Sequence, residues 1–292
     1  MADDKNKKKY RFLFIQPFEL STGGTYADKY HSAEFVKEKR MRMEYLNIRP
    51  LLEDVEWDFH GGPKPPYGDW AVETREEFAH VAAARLPIVR AACESGKYNA
   101  IVLLGGGEPG FMEAREIART YGIPVTSCAF SQMHIACMLG NKFSVIDFTE
   151  THNMFYYDLV VRHRLTDRCA SIRNINLYHA RPGYQDENTI DKERDKALRG
   201  EPSLAVERAV TEAVAAIEED GAEVITFGCS DVFWLQSFLQ KRLSELGWEI
   251  PVLEGYSSAI VLAKLFVDLG VDASGLKFPG ERPRQWRRKK VF

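Results

Sequence analysis

The sequence predicts an α/β fold of two pseudo-symmetric lobes, each a mostly parallel sheet flanked by helices, with the active site in the cleft between them. Short apolar runs alternate with amphipathic stretches along most of the 292 residues, as in parallel sheets. The stretch Ala222–Gly255 also repeats the layout of Ala100–Val125, and both contain Ile-Pro-Val after the helical stretch. The expected lobes are residues 10–127 together with 256–280, and residues 128–255.

In the first half of the chain, the longest helical pattern is Thr74–Cys93. Thr74 suits the N-cap of this helix, and Pro87 predicts either a kink or a break within it. The other predicted elements of this half are a helix that ends at Tyr121 and strands at Tyr10–Pro17, Asp54–His60, Ala100–Leu104 and Ile123–Val125.

The second half continues the alternation, and its polar segment Ala180–Gly200 is predicted to be a loop. Folds of this kind bind ligands at loops that follow the carboxyl ends of strands. The predicted strands are Lys142–Asp147, Ala170–Leu177, Val224–Phe227 and Ile250–Leu253. The predicted helices are Ser131–Leu139, Thr149–Arg164, Ser203–Glu219, Val232–Leu246 and Ser257–Leu269.

Composition narrows the class of protein. The net charge of -3 gives no general argument for nucleic acid or a membrane as partner, and positive charge is concentrated in two tails, residues 1–9 and 281–292. No apolar run approaches the ~18 residues of a membrane span. The start of the chain, MADDKNKKK, lacks the apolar segment of a secretory signal. Five cysteines without metal-ligand spacing favour free thiols in a cytoplasmic protein.

Cys229 is the candidate catalytic residue. It follows a predicted strand and precedes a predicted helix, between Gly228 and Ser230, where converging backbone N–H groups lower the pKa of a thiol. A buried structural thiol is the alternative, since cysteine is among the most buried residue types. Cys93 and Cys137 fall within predicted helices and are interpreted as core residues, and Cys128 is a weaker candidate at the end of a strand.

The glycines of Gly105–Gly110 fit the pattern GxGxxG between a strand and a helix. They allow three interpretations: a dinucleotide-binding loop, a plain tight turn, or a nest of backbone N–H groups for a carboxylate or enolate oxygen. The following strand carries no acidic residue for a ribose, which argues against the first. Ser131 and Thr149 suit either carboxylate binding or helix capping. The histidines lack metal-binding spacing, so no metal site is expected, and His134 is interpreted as a packed residue.

Four segments together resemble the Asp/Glu/hydantoin racemase superfamily, and the hydantoin racemases look most similar. These segments are Val102–Ala118, Lys142–Asp147, Asp220–Asp231 and Pro251–Lys264. The resemblance implies cofactor-independent acid/base chemistry at a carbon next to a carbonyl or carboxylate, through an enolate-like intermediate. It implies a small-molecule substrate with a carboxylate or hydantoin-like carbonyls, and it leaves a homo-oligomer open.

One departure from the family pattern affects the expected chemistry. Racemases of this group use two cysteines on opposite faces of the substrate; the second falls on Cys229, but the first falls on Gly105, an arrangement that resembles arylmalonate decarboxylase. The resemblance then implies one-sided chemistry with Cys229 as proton donor. Racemisation with Glu108 or a residue of Glu19–Tyr26 as second base is the alternative within the family. The expected substrate contacts are Gly105, Gly106, Gly107, Glu108, Ser131, Thr149, Gly228 and Ser230.

Two other classes of function stay open at the level of sequence. The chain is either a non-catalytic protein that binds a small molecule in the same cleft, or a nucleotide-dependent enzyme that uses the Gly105–Gly110 loop.

Overall fold

The computed structural model describes residues 8–26, 47–184 and 189–280, together with position 285. The described strands are β1 (Tyr10–Ile15), β2 (Val55–His60), β3 (Ala100–Leu103), β4 (Val125–Ser127), β5 (Phe143–Asp147), β6 (Cys169–Asn174) and β7 (Val224–Phe227). They form two parallel sheets, one in the order β2–β1–β3–β4 and the other in the order β6–β5–β7. The predicted α/β fold with two parallel sheets flanked by helices is confirmed.

Helices cover both sheets. The described α-helices are α1 (Arg75–Glu94), α2 (Phe111–Arg119), α3 (Cys128–Leu139), α4 (Glu150–Arg162), α5 (Ile190–Leu198), α6 (Leu204–Glu218), α7 (Leu235–Glu245) and α8 (Gly255–Leu269). Every residue of the strands β3, β5 and β7 is buried. Because helices exclude water from both faces of a parallel sheet, such strands are continuous apolar runs rather than alternating ones.

Helix α1 begins as predicted and runs through its proline without a break. The Thr74 side chain accepts a hydrogen bond from the Glu77 N–H, and the Glu77 carboxylate accepts one from the Thr74 N–H, so the two residues form a capping box. Pro87 lies inside the helix on an exposed position. The alternative of two helices separated at Pro87 was wrong.

The two Ile-Pro-Val segments take equivalent positions beside the two sheets. The N–H of Ile101 in β3 donates to the carbonyl of Pro124 at 3.0 Å, and the N–H of Ile225 in β7 donates to the carbonyl of Pro251 at the same distance. The second segment nevertheless forms only an isolated parallel bridge, between Ile225 and Val252, so the prediction of a full strand at Ile250–Leu253 was wrong.

Two further segments differ from the predictions. The helix expected from Val232 begins at Leu235, because a 3-10 turn at Ser230–Val232 first buries the side chains that follow Cys229. The predicted loop Ala180–Gly200 contains α5, which has charged residues in place of an apolar stripe. Asp191 and Glu193 lie in its first turn, and Lys196 near its end forms an ion pair with Glu193, as the helix dipole favours.

Helix α8 connects the two sheets. The Thr126 hydroxyl of β4 donates to the carbonyl of Ala259 at 3.0 Å, and α8 residues belong to a core that includes Phe14 of the first sheet and Phe227 of the second. The exact lobe boundaries therefore stay a prediction. Of the basic tails, Lys8 and Lys9 are described and contact Glu53 and Asp268, whereas residues 1–7 and nearly all of 281–292 lie outside the described residues.

Among the described helices, none combines the length and apolar character needed to cross a membrane.

Replacing Thr74 with Ala should destabilise the fold because it removes one half of the capping box at the start of α1. Loss of an N-cap costs about 1 kcal/mol, which corresponds to a decrease of about 2 °C in melting temperature for a chain of this size. The matched control is Thr211→Ala, since Thr211 lies on the exposed surface of α6 and only bonds back to the Glu207 carbonyl. Equal melting temperatures for Thr74→Ala and wild type would contradict the assignment.

Candidate active site

A mostly apolar cavity lies where the carboxyl ends of the two sheets meet. The loops after β1, β3 and β7 supply three of its walls; α4, the segment after β6, Val72 just before α1 and Phe78 within α1 supply the rest. The lining residues are Pro17, Phe18, Val72, Phe78, Gly105, Gly106, Gly107, Pro109, His152, Phe155, Tyr156, His179, Cys229, Ser230 and Asp231. The cavity thus lies at the edge where folds of this kind bind ligands.

Cys229 lies in this cavity directly after β7. Its N–H donates to Asp147 Oδ1 at 3.1 Å, and its Sγ accepts a hydrogen bond from the N–H of Asp231 at 3.5 Å. The backbone on both sides of the thiol is therefore fixed, and one backbone donor points at the sulfur.

Two histidines line the same cavity beside Cys229: His152 from the first turn of α4 and His179 from the segment that follows β6. His152 Nε2 is buried and has no hydrogen-bond partner among the described residues. Both rings are nearly excluded from water. Each is supported by carboxylates, since His152 Nδ1 lies 3.8 Å from Asp147 Oδ1 and His179 Nδ1 lies 3.9 Å from carboxylate oxygens of Asp191 and of Asp231. Carboxylates at this range stabilise the imidazolium form.

The three groups shift one another's pKa in opposite directions. Burial raises the pKa of Cys229, but the interactions with His152 and His179 outweigh it and bring this pKa below its ordinary value. Burial lowers the pKa of His152, yet Asp147 and Cys229 raise it to about 10. Burial also opposes the charge of His179, whereas Asp191, Cys229 and Asp231 raise its pKa well above the ordinary value. The histidines thus favour the thiolate form of Cys229, while the carboxylates and the thiolate favour the imidazolium forms of His152 and His179.

Close packing explains the glycines of the loop after β3. A Cβ at Gly106 would lie 2.1 Å from the Tyr156 hydroxyl and 2.2 Å from the Gly228 carbonyl, and a Cβ at Gly107 would lie 2.2 Å from the Phe78 ring. Gly105 has a φ of 107°, and its added Cβ would lie 3.2 Å from Pro17. The pattern GxGxxG is thus accounted for without a nucleotide: a Cβ at Gly106 would clash with backbone atoms, and the positive φ of Gly105 disfavours other residues there.

The loop leaves two backbone donors beside the cavity without a described hydrogen-bond partner. Gly106 and Gly107 line it, and within the described part of the chain neither N–H forms a hydrogen bond with another residue. Paired N–H groups of this kind suit a carboxylate or enolate oxygen.

Glu108 does not line the cavity with Cys229, so the expectation that it contacts substrate there needs correction. Its φ of 57° directs the side chain elsewhere, and its buried carboxylate accepts hydrogen bonds from the Ser127 hydroxyl and the Phe130 N–H. A third contact joins Glu108 Oε2 and His163 Nε2 at 2.8 Å. The carboxylate thus ties the glycine loop to α3 and α4.

Three other expected contacts, Ser131, Thr149 and Gly228, also lie outside the cavity lining. Ser131 is buried in the first turn of α3, and Thr149 directs its hydroxyl to Thr151 and to the Glu73 carboxylate. Gly228 supports the site from behind: its carbonyl accepts a hydrogen bond from the Tyr156 hydroxyl, and a Cβ there would lie 2.3 Å from the Asp147 side chain. Gly105, Gly106, Gly107, Ser230 and Cys229 are the predicted residues that line the cavity.

Sequence reasoning missed His152 and His179 because it searched the histidines for metal-binding spacing. A usable signal was present: both follow strands of the second sheet at the carboxyl edge, where Cys229 also lies. His134, interpreted as a packed residue, lies against the rings of Phe130 and His163.

One group of side chains has the composition of a metal site. His179, Asp191 and Asp231 each offer a ligand atom, and these atoms lie within 4.8 Å of one another. The buried Arg194 already supplies positive charge there, with its Nη1 2.9 Å from Asp191 and 3.9 Å from Asp231. The donor set is therefore better explained as an ion-pair network behind His179 than as a cation site.

Comparison with known proteins identifies relatives of the chain. The family model described as Asp/Glu/Hydantoin racemase matches residues 64–263. A hydantoin racemase from Pseudomonas sp. (strain NS671) is 31% identical over 179 residues, which are 61% of this chain and 62% of that protein. The matched part thus spans less than two thirds of the length of this curated relative.

Solved structures share the fold. Allantoin racemase from Pseudomonas fluorescens superposes with a TM-score of 0.68 at 23% identity and covers 97% of this chain and 99% of its own. A mutant of arylmalonate decarboxylase in the liganded form gives a TM-score of 0.53 at 11% identity, over 88% of this chain and 92% of its own. At these identities the likeness establishes the fold, and it agrees with the resemblance read from the motifs.

Alkylation of Cys229 by iodoacetamide, followed by mass spectrometry of its peptide, tests the charge state of the site. Because the Cys229 pKa lies below 9.0, its thiolate persists as the pH falls below that value, and the rate should decline only at lower pH. His152→Gln and His179→Gln each remove a donor and a cation. Both variants should move this decline to higher pH and slow alkylation at neutral pH by roughly tenfold.

His134→Gln is the matched control for these two variants, since His134 contacts neither Cys229 nor its carboxylate partners. An alkylation profile that is the same in wild type, His152→Gln and His179→Gln would contradict the pairing.

Proposed function

The chain belongs to the Asp/Glu/hydantoin racemase family, and we propose that it is a cofactor-independent acid/base enzyme acting at a carbon next to a carboxylate or carbonyl. In this proposal Cys229 is the acid/base group, and His152 and His179 stabilise its thiolate form. The substrate is a small molecule with a carboxylate or with hydantoin-like carbonyls, in line with the relative described as a hydantoin racemase.

One observation carries the proposal: the ionisable groups of the cavity lie on one side. Cys229, His152, His179, Tyr156 and Asp231 all come from the second-sheet half of the chain. The described lining residues of the first-sheet half carry no ionisable side chain; they are Pro17, Phe18, Val72, Phe78, Gly105, Gly106, Gly107 and Pro109. This supports proton transfer at a single face of the substrate.

The reaction begins from the thiolate. Cys229 Sγ removes the proton on the carbon next to the carbonyl, and the electron pair of the broken C–H bond moves into the carbonyl to form an enolate. The backbone N–H groups of Gly106 and Gly107 and the imidazolium N–H groups are donors available to the enolate oxygen. Burial of these donors in an apolar cavity strengthens each of these interactions.

The second step returns the proton from the Cys229 thiol. If it returns to the same carbon, the result is exchange with retention of configuration; if it returns to a conjugated atom, the result is an isomer. Inversion needs a donor on the other face. Glu108 is held outside the cavity, and no described residue of Glu19–Tyr26 lines it. The structure therefore favours one-sided chemistry over racemisation with a second side chain.

A decarboxylation uses the same groups in a different order. Loss of CO2 leaves the electron pair on carbon, and the proton then passes from the Cys229 thiol to that carbon. This route starts from a protonated thiol, whereas the two imidazolium neighbours favour the thiolate. Proton abstraction at a C–H acid is consequently the better supported branch.

Proton NMR in D2O tests the proposal with enantiopure 5-substituted hydantoins, amino acids and malonate-type diacids. We expect deuterium to replace the α-proton faster than optical purity is lost, after subtraction of the rate without enzyme. Cys229→Ala should reduce this exchange by about 10²- to 10⁴-fold, the usual contribution of general acid/base catalysis. Loss of optical purity at the rate of deuterium incorporation would contradict the one-sided mechanism.

Cys137→Ala is the matched control, since Cys137 is half-buried beside Arg168, away from the cavity. If Cys229→Ala binds these compounds as wild type does and neither protein exchanges the proton, the chain is a binding protein and the catalytic proposal fails.

A further inference from the structure

A further buried cation, Arg85, lies on the first-sheet side of the cavity, where the lining residues carry no charge. Arg85, in the middle of α1, is fully buried. Its Nη1 donates to the carbonyl of Pro109 at 3.0 Å, and its Nη2 donates to the carbonyls of Ile15 at 2.6 Å and Leu104 at 3.0 Å.

These three carbonyls mark the segments that form the first-sheet wall of the cavity. Leu104 directly precedes the glycine loop and Pro109 directly follows Glu108, so one guanidinium holds both ends of the loop. Ile15 ends β1 just before the segment that leads to Pro17, against which Gly105 packs. A planar group with five donors spans three acceptors in a way that an ammonium group does not.

The charge of Arg85 is compensated by carbonyl dipoles rather than by an acid, since no described carboxylate forms an ion pair with it. Burial lowers the pKa of Arg85 to about 9, and Cys128 opposes this shift. Burial of a cation without an anionic partner is costly, and an apolar side chain would fill a core position more stably. A buried arginine at position 85 is therefore explained if its positive potential acts on the cavity.

We propose that Arg85 is a positioning residue: it sets the Gly105–Gly107 backbone and gives this wall of the cavity a positive potential that holds an anionic oxygen of the substrate. The inference deepens the proposed function and rests on it for the identity of that oxygen. Gly106 and Gly107 line the cavity, and the Arg85 guanidinium that holds both ends of their loop makes the same wall attractive to a carboxylate or enolate.

Protection of Cys229 from iodoacetamide by phenylacetate tests this inference without turnover. Phenylacetate carries one carboxylate and a ring suited to the lining by Phe78 and Phe155. We expect phenylacetate to protect wild type and Arg90→Met equally, since Arg90 lies exposed on the same helix. Arg85→Met should need roughly tenfold more phenylacetate, as expected for loss of a nearby charge. Unchanged protection in Arg85→Met, or no protection of wild type, would overturn the inference.

Chemical rescue separates a positioning role from a merely structural one, and circular dichroism establishes that each variant is folded. In Arg85→Ala, guanidinium at low concentration should restore protection by phenylacetate, whereas urea, which donates similar hydrogen bonds without charge, should not. Rescue by both compounds or by neither would overturn the inference. If Arg85→Ala does not fold, Arg85→Lys is compared with Arg85→Met instead. Because Arg85→Lys retains the charge, phenylacetate should protect its Cys229 better than that of Arg85→Met. Equal loss of protection in Arg85→Lys and Arg85→Met would also overturn the inference.

The same experiment distinguishes this inference from the proposed function. If wild type exchanges no α-proton but its protection depends on Arg85, the proposed function fails and the inference stands. If wild type exchanges the proton and protection does not depend on Arg85, only the inference fails.

Discussion

The interaction on which the site depends is the pairing of the Cys229 thiolate with the imidazolium groups of His152 and His179. In a cavity lined mostly by apolar side chains, a lone thiolate would be unstable and a lone imidazolium equally so. Each group therefore favours the charged form of the others, and Asp147 and Asp231 extend the charge network into the second sheet. The order β6–β5–β7 brings these groups together, since the three segments leave one sheet at the same edge.

A steric constraint from the first sheet complements this charge network. The glycine loop approaches the Cys229 turn so closely that a Cβ at Gly106 would lie 2.8 Å from the Cys229 Cα. The backbone of Gly105–Gly107 can therefore reach the cavity, while side chains at these positions cannot be accommodated without movement. The same packing excludes a side chain at Gly106, and the positive φ of Gly105 disfavours one there, so the chemical asymmetry of the cavity follows from backbone geometry as well as from residue type.

The sequence predicted the fold well and the site only in part. Apolar runs identified most of the strands, because burial on both faces imposes a continuous pattern. Cys229 was found from its position after a strand. His152 and His179 were not found, because the order of the strands in a sheet cannot be deduced from the residue pattern of any single strand. Glu108 was misplaced because its backbone conformation, with a φ of 57°, directs the carboxylate toward His163. Helix α5 was missed because it lacks an apolar stripe.

The central claim is that Cys229 is a thiolate because two histidines beside it are charged. Nitrogen-15 NMR of the histidine side chains measures this directly in wild type and in Cys229→Ala at about pH 8, where an unperturbed histidine is neutral. The account predicts that His152 and His179 are doubly protonated in wild type and that their pKa values fall when the thiolate is removed. Neutral imidazole rings at both positions in wild type would contradict it, because the thiolate would then have no cationic partner.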